Sequence, residues 1–210
     1  MRELGPADRS RVGHRTDDVR MSAPERRELA GRLRDAFEWT TDRSVGSGYA
    51  DLTGWWRDPS LLRELGPALA GLFDEVPTVV VAPESRGLIL GALTAQAVGA
   101  GLVEARKDRD PATDSDPWLQ RTTPPDYRDR HVSFGFRRAL VRAGDRVLMV
   151  DDWAATGSTA RTVQQLVSDA GATWLGAAVL VDALEQSRLR RTLELRSLLR
   201  VRDLPDVRTR

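Results

Sequence analysis

The sequence predicts an α/β fold, a doubly wound parallel sheet with helices on both faces. Three observations carry that prediction. Val147-Leu148-Met149-Val150 is an unbroken apolar run, as expected of a strand buried on both sides, and a helix-periodic stretch follows it (Ala160, Val163, Leu166, Val167, Ala170) and stops at Gly171. Thr78 to Ala82 repeats the device, with a Val-rich run, a short loop and a mostly apolar helix from Leu88 to Val98. Gly101 to Ala105 and Trp174 to Val181 supply two further strands.

The chain has 210 residues, enough for one domain with a full core. It has no cysteine, which excludes disulfides, thiol catalysis and cysteine metal sites. Its 32 basic and 31 acidic residues give a net charge of +1, which argues against a dedicated nucleic-acid or membrane binder. No apolar run reaches membrane length and no signal-peptide core is present, so a soluble cytoplasmic protein is expected.

Residues 1–21 are polar and read as a disordered extension; translation starting at Met21 would remove it. Ser22-Ala23-Pro24-Glu25 is a capping box that opens a helix from about 23 to 38, burying Leu29, Leu33, Ala36 and Phe37. Residues 45–54 read as a Gly-rich loop running into Trp55-Trp56-Arg57-Asp58-Pro59. An amphipathic helix with Leu61, Leu62, Leu65, Leu69 and Leu72 follows. The strand from Thr78 ends in Pro83-Glu84-Ser85-Arg86-Gly87. Arg86 opens a helix, an unfavourable place for a cation without an anionic partner, and Gly87 permits close backbone approach. The strand from Gly101 delivers Arg106-Lys107 at its carboxyl end. Residues 108–131 read as a long loop, the length expected of a lid. Val132 to Phe136 alternates as a half-exposed strand. The Arg-rich tail reads as a helix, a strand around Leu198 to Val201, and a fraying end, its charge a solvated face.

The strand at 147–150 organises the rest. Asp151 and Asp152 fall at its carboxyl end, where open α/β sheets hold ligands. Ala155-Thr156-Gly157-Ser158-Thr159 then brings small and hydroxyl residues to a helix N-terminus, a place for an anion. Acceptors for hydroxyls on one side and donors for a phosphate on the other fit a ribose 5-phosphate. A Walker B strand needs an upstream Gly-x4-Gly-Lys-Ser/Thr loop, which is absent, and an Asp-x-Asp phosphatase needs another spacing. The bland alternative is a strand and capped helix with ordinary turn carboxylates.

The stretch 147–159 resembles the PRPP-binding motif of type I phosphoribosyltransferases. Glu84-Ser85-Arg86-Gly87 resembles the pyrophosphate loop of the adenine enzymes, which also carry Arg-Lys where Arg106-Lys107 stand. Tyr49-x-Asp51 followed by Asp58-Pro59 is similar to their N-terminal segment. The resemblance implies that Asp151 and Asp152 hold the ribose hydroxyls and that Ala155 to Thr159 hold the 5-phosphate. It implies that Glu84, Ser85, Arg86, Gly87, Arg106 and Lys107 hold pyrophosphate, with Arg86, Lys107, Asp151 and Asp152 as the catalytic set. Tyr49 and Ala50 would lie near a purine-like base. Ala50 replaces a basic residue of the family, so adenine is expected to be accepted poorly or a bulkier base preferred, with adenine the best single choice. The family's loop Tyr-x-x-Glu has no clean counterpart.

The implied domain spans residues 22–205, with a hood at about 22–58 and the lid at about 108–131. The implied reaction moves ribose 5-phosphate from PRPP to the base and releases pyrophosphate. Mg²⁺ would arrive with PRPP, held mainly by its oxygens, and a homodimer is implied. Two other readings use the same fold. A PRPP-sensing regulator would need a DNA-binding domain, for which the ~40 residues before the fold are few when domains usually run ~50 or more. A non-catalytic scaffold is favoured by Ala50 and the missing Glu, and opposed by the intact phosphate and pyrophosphate loops.

Overall fold

The structure is a computed structural model that describes residues 19–41, 48–107, 117–123 and 131–206. Its centre is a five-stranded parallel sheet made of β3 (Val79–Pro83), β4 (Gly101–Ala105), β7 (Arg146–Ala154), β8 (Thr173–Asp182) and β9 (Leu195–Arg200). Their order is β4-β3-β7-β8-β9. From β3 the chain winds outward to β4, and from β7 it winds the other way to β8 and β9. The strand order therefore reverses between β3 and β7, and a doubly wound sheet opens its ligand crevice at the carboxyl ends of such a pair.

The residues of β7 show why the sheet is buried on both sides. Leu148 and Val150 enter a core with Leu29 and Leu33 of α1 (Ala23–Asp35), Leu61, Leu65 and Leu69 of α3 (Pro59–Ala70), and Leu90 of α4 (Arg86–Val98). Val147 and Met149 enter a second core with Val163, Leu166 and Val167 of α5 (Ser158–Asp169). The period of two along one strand thus feeds two cores. Close packing fixes some glycines: at Gly66 a Cβ would stand 2.3 Å from the Leu93 carbonyl oxygen, so α3 and α4 meet backbone to backbone.

The hood, the end of α1 and the hairpin depart from the sequence expectation. Part of the Gly-rich stretch is β2 (Gly48–Asp51), paired antiparallel with β1 (Glu38–Thr41), and a short helix α2 (Thr53–Arg57) follows. The helix from Ala23 ends at Asp35, so Ala36 is exposed while Phe37, beyond its end, is buried. Within the stretch read as one long loop, Trp118–Thr122 forms β5, antiparallel to β6 (Ser133–Arg137). Gly135 lies against Trp118, whose ring would be 2.4 Å from a Cβ there, so β6 is buried at its centre rather than half-exposed. Arg121 forms a two-pronged pair with Asp169 at the end of α5, at 2.7 and 2.8 Å, which ties the hairpin to the domain. The rest of the expected lid, residues 108–116 and 124–130, lies outside the described residues.

Of the stretch read as disordered, residues 1–18 also lie outside them. Arg20 and Met21 are docked: Met21 N–H donates to the Pro67 carbonyl, and the Arg20 guanidinium to those of Phe73 and Asp74. The chain closes with α6 (Ser187–Thr192) before β9, which begins three residues earlier than expected. Among the described residues no helix is long and apolar enough to cross a membrane.

Candidate active site

The site is built from two strand ends. After β3 the chain turns at once into α4, with Arg86 as its first residue and a cis peptide at Glu84–Ser85. Beside it β7 runs on past the last residue of β3, carrying Asp151 and Asp152 as part of the strand. Arg86 Nε lies 2.9 Å from Asp152 Oδ2. Asp152 is only 7% exposed, and that Oδ2 makes no hydrogen bond among the described residues, so its charge is met by the guanidinium alone.

Asp151 has a different setting. Its Oδ1 accepts the Asp152 backbone N–H at 2.8 Å and would lie 2.9 Å from a Cβ on Gly87. Gly87 is therefore required by the carboxylate across the crevice and by the Pro83 ring, 3.0 Å from the same point. Burial, then the neighbouring Asp152 charge, pushes the Asp151 carboxyl well above the usual carboxylate range. Part of the residue remains accessible from the crevice, which it lines.

Glu84 ties the ends of β3 and β4 together. It accepts the Lys107 backbone N–H at 3.0 Å, and its other oxygen lies 3.6 Å from Arg106 Nε. The Lys107 backbone and the Arg106 guanidinium are thereby tied to the end of β3; Lys107 lines the same cavity as Arg86, and Arg106 does not. Glu84, Ser85, Arg86, Lys107, Asp151, Asp152, Ser158 and Thr159 line one cavity of about 280 Å³, closed on the hairpin side by Thr123, Val132 and Phe134. A second cavity of about 170 Å³ shares Asp151, Ser158 and Thr159 and continues under the loop Ala155-Thr156-Gly157, with Trp153 on its wall. Gly157 caps α5 at φ +74°, and a Cβ there would stand 3.1 Å from Leu189 of α6. The Thr156 hydroxyl turns inward, donating to Ser158 Oγ at 2.9 Å and accepting the Ser158 N–H at 3.3 Å.

The hood residues are placed differently. Tyr49 and Ala50 stand on β2 opposite Thr40 and Trp39, and neither lines these cavities. Ala50 packs half-buried against the α1/α3 core, while Tyr49 is exposed. Asp58 caps α3, accepting from Ser60 N–H, Ser60 hydroxyl and Leu61 N–H, while Asp51 accepts from the N–H and hydroxyl of Thr53, the first residue of α2. Those bonds hold both carboxyls below the usual range. Hood and sheet meet through tryptophans: the Trp39 and Trp153 rings lie 6.3 Å apart, edge-on. Thr123, Phe134 and Trp153 were not foreseen as site residues. Phe134 carried a signal, the alternation of its strand, whereas Thr123 carried none.

A family-level comparison matches residues 58–204 to the phosphoribosyl transferase domain. An adenine phosphoribosyltransferase of Anaeromyxobacter sp. Fw109-5 is 37% identical over 157 residues, 73% of this chain and 83% of the relative. The Streptomyces galbus adenine phosphoribosyltransferase is 35% identical over 73% of this chain and 81% of its own length. Among solved structures, the adenine phosphoribosyltransferase of Rhodothermus marinus superposes with a TM-score of 0.72 at 30% identity, over 83% of this chain and 99% of that one. The Giardia lamblia enzyme, complexed with 9-deazaadenine, gives 0.69 at 26% identity, over 81% of this chain and 97% of that one.

Proposed function

The chain belongs to the phosphoribosyl transferase family, and we propose that it transfers ribose 5-phosphate from PRPP to adenine, forming AMP and releasing pyrophosphate. One observation supports this most. At the switch point of the sheet, a cationic strand end and an acidic strand end share a cavity that continues into a helix-capping loop. The loop and the α5 N-terminus suit the 5-phosphate. The accessible part of Asp151, with Asp152 beside it on the cavity wall, suits ribose hydroxyls as an acceptor.

Breaking the C1–oxygen bond leaves positive charge on the ribose and negative charge on pyrophosphate. Arg86 and Lys107, which line the cavity, would meet that negative charge, with Arg106 behind them; Arg86 is paired with Asp152, and Glu84 holds the Lys107 backbone and faces Arg106. The ring nitrogen of the base then bonds to C1 and its proton is released. The chain provides no nucleophile; it orients both partners and keeps water from the cationic sugar. Mg²⁺ fits as an ion carried by substrate oxygens. Asp151 and Asp152, acidic oxygens that line the cavity, are the residues that would help to hold it there. Bound there, it would neutralise charge on the leaving group.

The base would enter between the hood and the end of β7, near Tyr49, Ala50 and the Trp39–Trp153 contact. A cytoplasmic homodimer completes the proposal, and light scattering tests its stoichiometry. The deciding experiment is pyrophosphate release from PRPP and Mg²⁺ with adenine, hypoxanthine, guanine and substituted purines. Release with adenine is expected; release with none of them overturns the proposal and favours a PRPP-binding regulator.

A further inference from the structure

We infer that Asp152 is a positioning residue for Arg86, so that the carboxylate at the sugar end of the site also governs binding at the pyrophosphate end; the inference rests on the transfer reading above. A guanidinium offers Nε on one edge and the Nη1/Nη2 fork at its tip, and a phosphate is best gripped by that fork. Arg86 meets Asp152 through Nε, at 2.9 Å, so the fork is spared for a second anion. The two partners are unequal: the Arg86 side chain is 51% exposed, that of Asp152 10%. A half-exposed arginine at a helix start has many rotamers, and a nearly buried carboxylate beside its Nε selects among them. Preorganisation of that kind raises affinity without adding a contact to the ligand.

Asp152 is itself held. Its N–H is bonded to Asp151 Oδ1, and that oxygen is packed against Gly87, the residue after Arg86. The start of α4 and the end of β7 therefore interlock on both sides of the ion pair. Swinging Arg86 away is disfavoured, because it would leave Asp152 a nearly buried charge without this counter-ion.

The sign of one measurement separates this from a simple field effect. Asp152→Asn removes a negative charge beside an anion subsite, so field alone predicts tighter pyrophosphate binding. Positioning predicts weaker binding, by about tenfold, within the range for coupled neighbours. Pyrophosphate is titrated calorimetrically in EDTA, where no metal can bridge ligand and carboxylate. The parent chain, Asp152→Asn, Arg86→Gln and the double variant are compared. The expected result is a loss in Asp152→Asn and a double variant no weaker than Arg86→Gln alone. Arg86→Lys, which keeps the charge and loses the planar fork, should fall nearly as far as Arg86→Gln, and it decides the matter if Asp152→Asn does not fold. Equal or tighter binding by Asp152→Asn, additive losses, or full affinity in Arg86→Lys overturns the inference. So does a parent that binds no pyrophosphate in EDTA, while PRPP-dependent pyrophosphate release, assayed separately, judges the transfer reading on its own.

Discussion

Asp182→Asn tests whether the loop 155–159, the proposed 5-phosphate site, is supported from beneath by α6. Asp182 ends β8 with its side chain 2% exposed, and Arg190 of α6 reaches it with 19% exposed. Arg190 Nε donates to Oδ2 at 2.6 Å and Nη2 to Oδ1 at 3.3 Å, while Leu184 N–H donates to Oδ1 at 2.8 Å. Arg190 Nη2 also donates to the Leu184 carbonyl. Asparagine keeps the shape, removes the charge and turns an amide N–H toward the guanidinium or toward Leu184 N–H. Removing one member of a buried pair costs roughly 3–5 kcal/mol. Arg190 retains some water contact, which places the expected loss near the lower end, about 3 kcal/mol. For a chain of this size that lowers the melting temperature by roughly 6–12 °C, and the urea midpoint by about 1.5 M at a slope of about 2 kcal/mol/M. The control is Arg121→Gln, whose partner Asp169 forms a more exposed pair, 51% and 31%, worth less than about 1 kcal/mol. Because Leu189 of α6 lies against Gly157, ribose 5-phosphate affinity should fall as well. Urea melts showing Asp182→Asn within about 1 kcal/mol of the parent, and no more damaging than Arg121→Gln, would refute the reasoning.

Other expectations follow from single positions. Gly157→Ala forces a side chain into φ +74° and to 3.1 Å from Leu189; it should cost roughly 1–3 kcal/mol in a thermal melt and raise KM for PRPP. Asp151 takes up its proton more readily when folded than when unfolded, so its contribution to stability is full below about pH 4 and is lost as pH rises through its raised folded value. Asp151→Asn should therefore melt higher than the parent at pH 8 and gain less at pH 4, while losing PRPP binding; a lower melting point at pH 8 would contradict this. Ala50→Arg, which returns a cation to the position opposite Trp39, should destabilise by roughly 1–3 kcal/mol through overpacking and leave adenine kcat/KM no higher.

Much of the central sheet was legible because a strand buried on both faces leaves a continuous apolar run, as Val147 to Val150 does. The hairpins were not. Glu38-Trp39-Thr40-Thr41 and Gly48-Tyr49-Ala50-Asp51 have weak patterns alone and become strands through each other, and Trp118 to Thr122 depends likewise on β6. The junction at 151–159 was legible as a strand end followed by a glycine-capped helix, because the apolar run stops at Asp151 and helix periodicity resumes after Gly157. At the hood the same kind of cue pointed elsewhere. Asp51 and Asp58 support the resemblance, yet Asp58 is spent capping α3 and Asp51 bonding Thr53 at the start of α2, uses that ask for the same residue as ligand binding.

What no local pattern could supply was the partner of Arg86. A cation opening a helix implied an anion, and a bound pyrophosphate met that need, but a nearly buried carboxylate 66 positions later meets it first. That pairing depends on strand order. Had β4 rather than β3 lain beside β7, Arg86 and Asp152 would be separated by a further strand, roughly 5 Å, beyond ion-pair contact. The order β4-β3-β7 is set by the apolar residues that bury β3 and β7 on both faces, so the chemistry of the site is decided by the core beneath it.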